Sequence, residues 1–83
     1  MPVPRRTRPG RDSTMPEMAG IAQRIAERRV TLHLTQQALA ELAGVSRYSV
    51  QSLERGDDSI RLGSALQIAE VLGLHFELNT AAE

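Results

Sequence analysis

Residues 36–55, QQALAELAGVSRYSVQSLER, leave the chain little freedom in how it folds. Leu39, Ala43, Val45, Val50 and Leu53 recur at spacings that set them on the inner faces of two short helices. Ala40 and Gly44 are small where two helices would crowd each other. Thr35 stands as the N-cap of a helix over 36–43, and Gly44 can take the positive φ that ends it. Ser46 and Gly56 repeat the same two signals for a helix over 47–55. Two caps and two glycines therefore frame a helix, a tight turn and a second helix.

Helical spacing continues on both sides. Met18, Ile21, Ala22, Ile25 and Ala26 form one apolar stripe, which predicts a first helix from about Glu17 to Arg29. Pro16 suits its first turn, and Glu17 complements its positive end. Arg24, Arg28 and Arg29 load its later part with positive charge. The β-branched segment from Val30 to Leu34 is expected to be a connector, and Asp57 to Arg61 a polar loop. Leu62, Ala65, Leu66, Ala69 and Leu72, with Ile68 beside them, predict a fourth helix over 62–72 that starts without an obvious cap and stops at Gly73.

The segment Leu74 to Leu78 changes period. Leu74, Phe76 and Leu78 alternate with His75 and Glu77, as in a strand with one buried face. One strand in a helical chain has no ladder partner, and its backbone would form an open edge. Pairing with the same strand of a second copy across a two-fold axis solves this, so Leu74, Phe76 and Leu78 are the expected dimer interface.

The 83 residues make one small domain with a modest core, which dimerisation would help to stabilise. One Tyr, one Phe and no Trp leave the interior to aliphatic side chains. The absence of Cys removes disulfide frameworks and thiolate metal sites, and fits an intracellular protein. No stretch approaches a membrane span, and no apolar run follows Arg5-Arg6 as a twin-arginine signal requires.

A net charge of zero conceals an uneven distribution. Residues 1–16 hold four Arg against Asp12, and the rest of the chain six Arg against nine acids. Residues 1–16 also hold all four prolines, and are expected to form an extended or disordered basic arm ahead of a domain over 17–83. The arm is either a solubilising tail or a segment that touches phosphates or a minor groove. The basic residues are all Arg, which suits bidentate contacts to phosphate and guanine but equally reflects coding bias in a GC-rich genome.

Between its inward positions the helix over 47–55 offers Arg47, Tyr48, Ser49, Gln51 and Ser52, a row of hydrogen-bonding groups with almost no charge. Such a row suits a helix lying in the major groove of DNA, where base edges are distinguished by donors and acceptors. Arg47, beside the Ser46 cap, is placed to contact guanine. Gln36, at a helix N-terminus, is placed to contact phosphate. Catalytic patterns are poor by comparison. Gly44-Val45-Ser46 begins like a nucleophile elbow but lacks the second Gly and a preceding strand. His33 and His75 are isolated, and Glu54, Asp57 and Asp58 lack the calcium-loop pattern. No enzyme activity, metal or cofactor is expected.

Four spaced motifs, L-T-Q-Q at 34–37, A-G-V-S at 43–46, L-E-R-G at 53–56 and I-A-E-V-L-G at 68–73, resemble the Cro- and lambda-repressor-like, or XRE-like, helix-turn-helix family. The likeness covers about Ile21 to Gly73. The extension S-I-R-L-G-S-A-L followed by L-G-L-H-F-E-L resembles the HipB-like antitoxin branch, in which a short C-terminal strand joins two protomers. The resemblance implies an all-α, four-helix lambda-repressor-like domain with a C-terminal β-strand pairing across a dimer. It also implies a repressor of a palindromic double-stranded operator, cytoplasmic and nucleoid-associated, with a toxin protein as a further partner.

Carried over residue by residue, Gln36 would bond a phosphate, and Arg47, Tyr48 and Ser52 would read base edges. Gln51 would join them or contact the backbone, and Ser46 and Ser49 would donate to phosphates. Arg29 and Glu54 would form an ion pair between the first and third helices. The family commonly places a basic residue after the glycine at 56, whereas this chain has Asp57 and Asp58. Either that loop points away from DNA, or Arg55 and Arg61 offset the two acids; Arg55 completes the expected DNA-binding set. The acidic loop and neutral charge support the alternative, a protein-interaction module on the same fold without DNA binding.

Overall fold

The computed structural model describes residues 15–81, in which four helices follow one another: α1 (Pro16–Thr31), α2 (Gln36–Ala43), α3 (Arg47–Arg55) and α4 (Leu62–Leu72). The expected basic arm lies almost wholly outside the described residues. α2, α3 and α4 have the bounds their caps and glycines predict. Thr35 Oγ1 accepts from the Ala38 amide at 2.9 Å, and Ser46 Oγ accepts from the Ser49 amide at 3.1 Å. α4 starts at Leu62, and Arg61 before it makes no side-chain cap, in keeping with the missing signal.

All four helices end in one pattern, in which two amides beyond the last turn fold back on its carbonyls. At α2 the Val45 amide donates to Ala40 O at 3.0 Å, and at α4 the Leu74 amide donates to Ala69 O at 2.9 Å. Each such end needs one residue with positive φ. Gly44, Gly56 and Gly73 supply it at 73°, 79° and 75°. At α1 the same place is taken by His33, with φ of 61°. This corrects the expected connector over Val30 to Leu34: Val30 and Thr31 are helical, and the turn begins two residues later than predicted. Gly44 also needs a changed explanation. A Cβ built there would meet nothing within 4 Å, so its φ, and not crowding between helices, requires glycine.

The core sits where α3 and α4 pack together, with α2 closing over them on one side and α1 on the other. Ile25, Leu39, Val50, Leu53, Ile68 and Leu72 are fully buried, with Ala40, Ala43, Ala65 and Ala69 filling the gaps between them. Each of the large side chains contributes about 1.5–3 kcal/mol relative to an exposed state. Met18, Ile21, Leu34, Val45, Ile60 and Leu74 pack around the edge. On α4 the buried face is Ala65, Ile68, Ala69 and Leu72, while Leu62 and Leu66, expected inside, are 69% and 46% exposed.

Among the described residues after Gly73 there is no regular secondary structure, and no strand forms. A ladder needs a second strand, which a single chain of this topology does not supply. Of the three residues on the expected apolar face, Leu74 packs against the core, Phe76 is half exposed and Leu78 is wholly exposed.

Candidate nucleic-acid interface

The position of α3 follows from its sequence. Val50 and Leu53 anchor its inner side in the core, and the Ser46 cap and Gly56 end fix where it begins and stops. What remains outward is Arg47, Tyr48 and Arg55, all exposed, with Ser46 beside them and Ser49 and Gln51 half buried. Tyr48 is 64% exposed, an unusual position for an aromatic unless it has something to meet. The hydroxyls of Ser46 and Ser49 lie 3.1 Å apart. These residues present donors, acceptors and one aromatic ring on a single convex ridge.

Ser52 departs from expectation. It is 3% exposed, turned into the domain, with its hydroxyl accepting from Arg55 Nη2 at 3.4 Å. Its short side chain stands on the flank of α3 and does not reach the outward ridge in this conformation. Gln36 is half buried, with Nε2 donating to Glu54 Oε1 at 3.0 Å.

Arg55 stands beside the acidic loop. Its guanidinium sits 5.7 Å from the centroid of the Tyr48 ring and 3.7 Å from Asp57 Oδ2. Asp57 also accepts from the Ser59 amide at 2.9 Å and from its hydroxyl at 2.7 Å, which closes the loop as a tight turn. The two Ser59 bonds, with a smaller contribution from Arg55, hold the Asp57 carboxyl below its ordinary range. One of the two acids is therefore turned to local partners.

Two arginines of α1 serve the fold. Arg28 Nε donates to Leu72 O at 2.9 Å, at the negative end of α4. Arg29 grips Glu54 with two bonds, Nε to Oε2 at 2.7 Å and Nη2 to Oε1 at 3.1 Å, and its Nη1 holds Leu34 O at 2.8 Å. Its hydrogen bond to Glu54 raises the Arg29 pKa further above its ordinary value.

A second exposed surface lies around Phe76. Phe76 lines a groove of about 440 Å³ with Gly20, Ile21 and Arg24 of α1. It also lines an adjoining groove of about 310 Å³ with Leu66 and Glu70 of α4. Sequence reasoning found Phe76 but missed Leu62 and Leu66. Apolar residues at 62, 65, 66, 68, 69, 71 and 72 are more than one face of α4 can bury, and that excess is the signal.

A helix-turn-helix family model matches residues 25–79, more than half of the chain. The restriction-modification controller protein C.AhdI from Aeromonas hydrophila is 31% identical, over 74% of this chain and 92% of its own, with a TM-score of 0.65. A structure described as an MDT protein is 21% identical with a TM-score of 0.71, covering 84% of this chain and 99% of its own. A chain of a HipA-HipB-O2-O3 complex is 20% identical with the same TM-score and the same coverage. No curated protein matches.

Proposed function

The chain belongs to the XRE-like helix-turn-helix family, and from the face that α3 presents we propose that it is a sequence-specific DNA-binding transcriptional regulator acting as a homodimer. The observation that carries the reading is the outward ridge of α3. Arg47 and Tyr48 are exposed at its N-terminal end, backed by a capped and buried helix that holds them rigidly. Arg47 contacts a guanine edge, Tyr48 a thymine methyl or a sugar, and Gln51 a base edge or the backbone. Ser46, Ser49, Gln36 and Arg55 contact phosphates. Ser52 keeps a place in the set only if Arg55 moves when DNA binds.

Dimerisation accounts for the second surface. Leu66 and Phe76 are exposed apolar side chains on one groove, and Leu78 follows in a segment without ladder partners. Residues 74–78 of two copies pair antiparallel, cover this patch and set two α3 helices about one helical turn apart, roughly 34–36 Å, on a palindromic operator.

The finer role we propose is that of an antitoxin that represses its own operon and binds a toxin partner. The fold of the chain in the HipA-HipB-O2-O3 complex supports it. The restriction-modification controller, more similar in sequence, supports control of a restriction-modification operon instead. Co-purification with the product of the neighbouring gene separates the two, since only an antitoxin holds a toxin in a stable complex.

Selection on randomised duplex DNA tests the core reading and should return a two-fold symmetric site. Arg47→Ala should then cost about 1–3 kcal/mol against that site and relax preference at one base position per half-site. An Arg47→Ala variant that keeps the full preference refutes the assignment of α3. A wild-type protein that enriches no sequence leaves the protein-interaction reading in its place.

A further inference from the structure

Glu54 is on α3 but faces away from solvent, with its side chain 8% exposed. Its carboxylate joins three elements. Oε2 accepts from Arg29 of α1, and Oε1 accepts from both Arg29 and Gln36, the first residue of α2. Arg29 in turn holds the carbonyl of Leu34, next to the Thr35 cap of α2. The start of α2 is thus tied to the recognition helix through one side chain.

The Gln36 amide nitrogen carries two hydrogens, of which Glu54 takes one. Thr35 accepts from the Ala38 and Leu39 amides, so the Gln36 and Gln37 backbone N–H groups are the ones α2 leaves without an intrahelical acceptor. A carboxylate this near a phosphate would ordinarily repel it. Two bonds from Arg29 neutralise Glu54, so it can hold the amide without presenting net negative charge. Glu54 also lies seven residues after Arg47, two turns along the same line of α3, a rigid span of about 10 Å.

We propose that Glu54 is a positioning residue for DNA binding: it locks the Gln36 amide so that its second N–H meets a backbone phosphate at a fixed distance from Arg47. The contact sets the register of α3 in the groove. The proposal rests on the DNA-binding reading above, and concerns a residue that itself touches no nucleic acid.

A double-mutant cycle tests it. Full-length wild type, Gln36→Ala, Glu54→Met, which is of similar length but has no acceptor for the Gln36 amide, and the double variant are titrated against a fluorescein-labelled duplex carrying the selected site. Circular dichroism confirms that each is folded at the assay temperature. Each single variant should bind about tenfold more weakly, and the double variant no worse than about tenfold, because Glu54 acts only through Gln36. Losses that multiply to about a hundredfold would show that Glu54 supports the fold alone, and overturn the proposal. A folded Glu54→Met or Gln36→Ala variant that binds like wild type overturns it as well. If Glu54→Met does not fold, Glu54→Asp takes its place; it keeps the charge for Arg29 but is one methylene short of Gln36. A wild type that binds no duplex defeats the DNA-binding reading and this proposal together, whereas an independent cycle defeats only the proposal.

Discussion

Glu54→Ala deletes an acceptor that serves three donors at once, two on Arg29 and one on Gln36. The remaining Arg29 guanidinium keeps the Leu34 carbonyl but loses its counter-charge, with a side chain only 17% exposed. Removing one partner of a fully buried pair costs about 3–5 kcal/mol. Partial access of water to Arg29 lowers this, to about 2–3 kcal/mol, in line with hydrogen bonds to charged groups at about 1.5–3 kcal/mol. For a domain of this size each kcal/mol moves the unfolding midpoint by about 4–8 °C, so a fall of about 10–20 °C is expected. Thermal and urea unfolding followed by circular dichroism measure it, with the midpoint and the slope fitted separately. The companion variant Arg29→Met with Glu54→Leu removes both charges and should return to within about 1 kcal/mol of wild type. A loss below about 0.5 kcal/mol in Glu54→Ala would refute the reasoning, because the pair would then behave as an exposed one.

Three further outcomes are expected. Phe76→Asp places a charge among Leu66, Leu74 and Glu70 and should convert a dimer to a monomer in sedimentation, with operator affinity falling although no base contact is changed; a wild-type monomer at micromolar concentration would exclude the arrangement. Removing residues 1–13 should leave the unfolding midpoint unchanged, and a phosphate-touching arm should make the log-log salt dependence of binding shallower by about 0.9 per lost contact; an unchanged slope would return the segment to a passive tail. His33→Val should lower stability by about 1–2 kcal/mol, because a β-branched side chain cannot take φ of 61° without strain, whereas His33→Gly should not destabilise; equal midpoints for the two variants would contradict this.

The limits of the two helices between Thr35 and Gly56 are legible in the sequence. Side-chain caps act over three residues, and glycine ends act over five, so both are written in the local sequence. The same logic explains the error at α1. Its end is set by His33, a residue that carries no glycine signal, and only the hydrogen bonds of the Arg29 and Val30 carbonyls reveal it. Which face a helix turns inward is decided differently. Leu62 and Leu66 are as apolar as Ile68 and Leu72, yet α4 is rolled so that Ala65 and Ala69 occupy the interior beside them. Small side chains let α4 pack closely on its neighbours, a requirement that exists only once the other helices are in place. Ser52 follows the same rule, buried because α3 is rolled to seat Val50 and Leu53. The meeting of Arg29, Gln36 and Glu54 at one carboxylate, across 25 and 18 residues of chain, is likewise a product of packing. Local capping and periodicity, which the sequence carries by itself, determined the helices and their limits; the roll of each helix, and so which polar groups face outward, was left to the tertiary structure, because burial depends on neighbours distant in the chain.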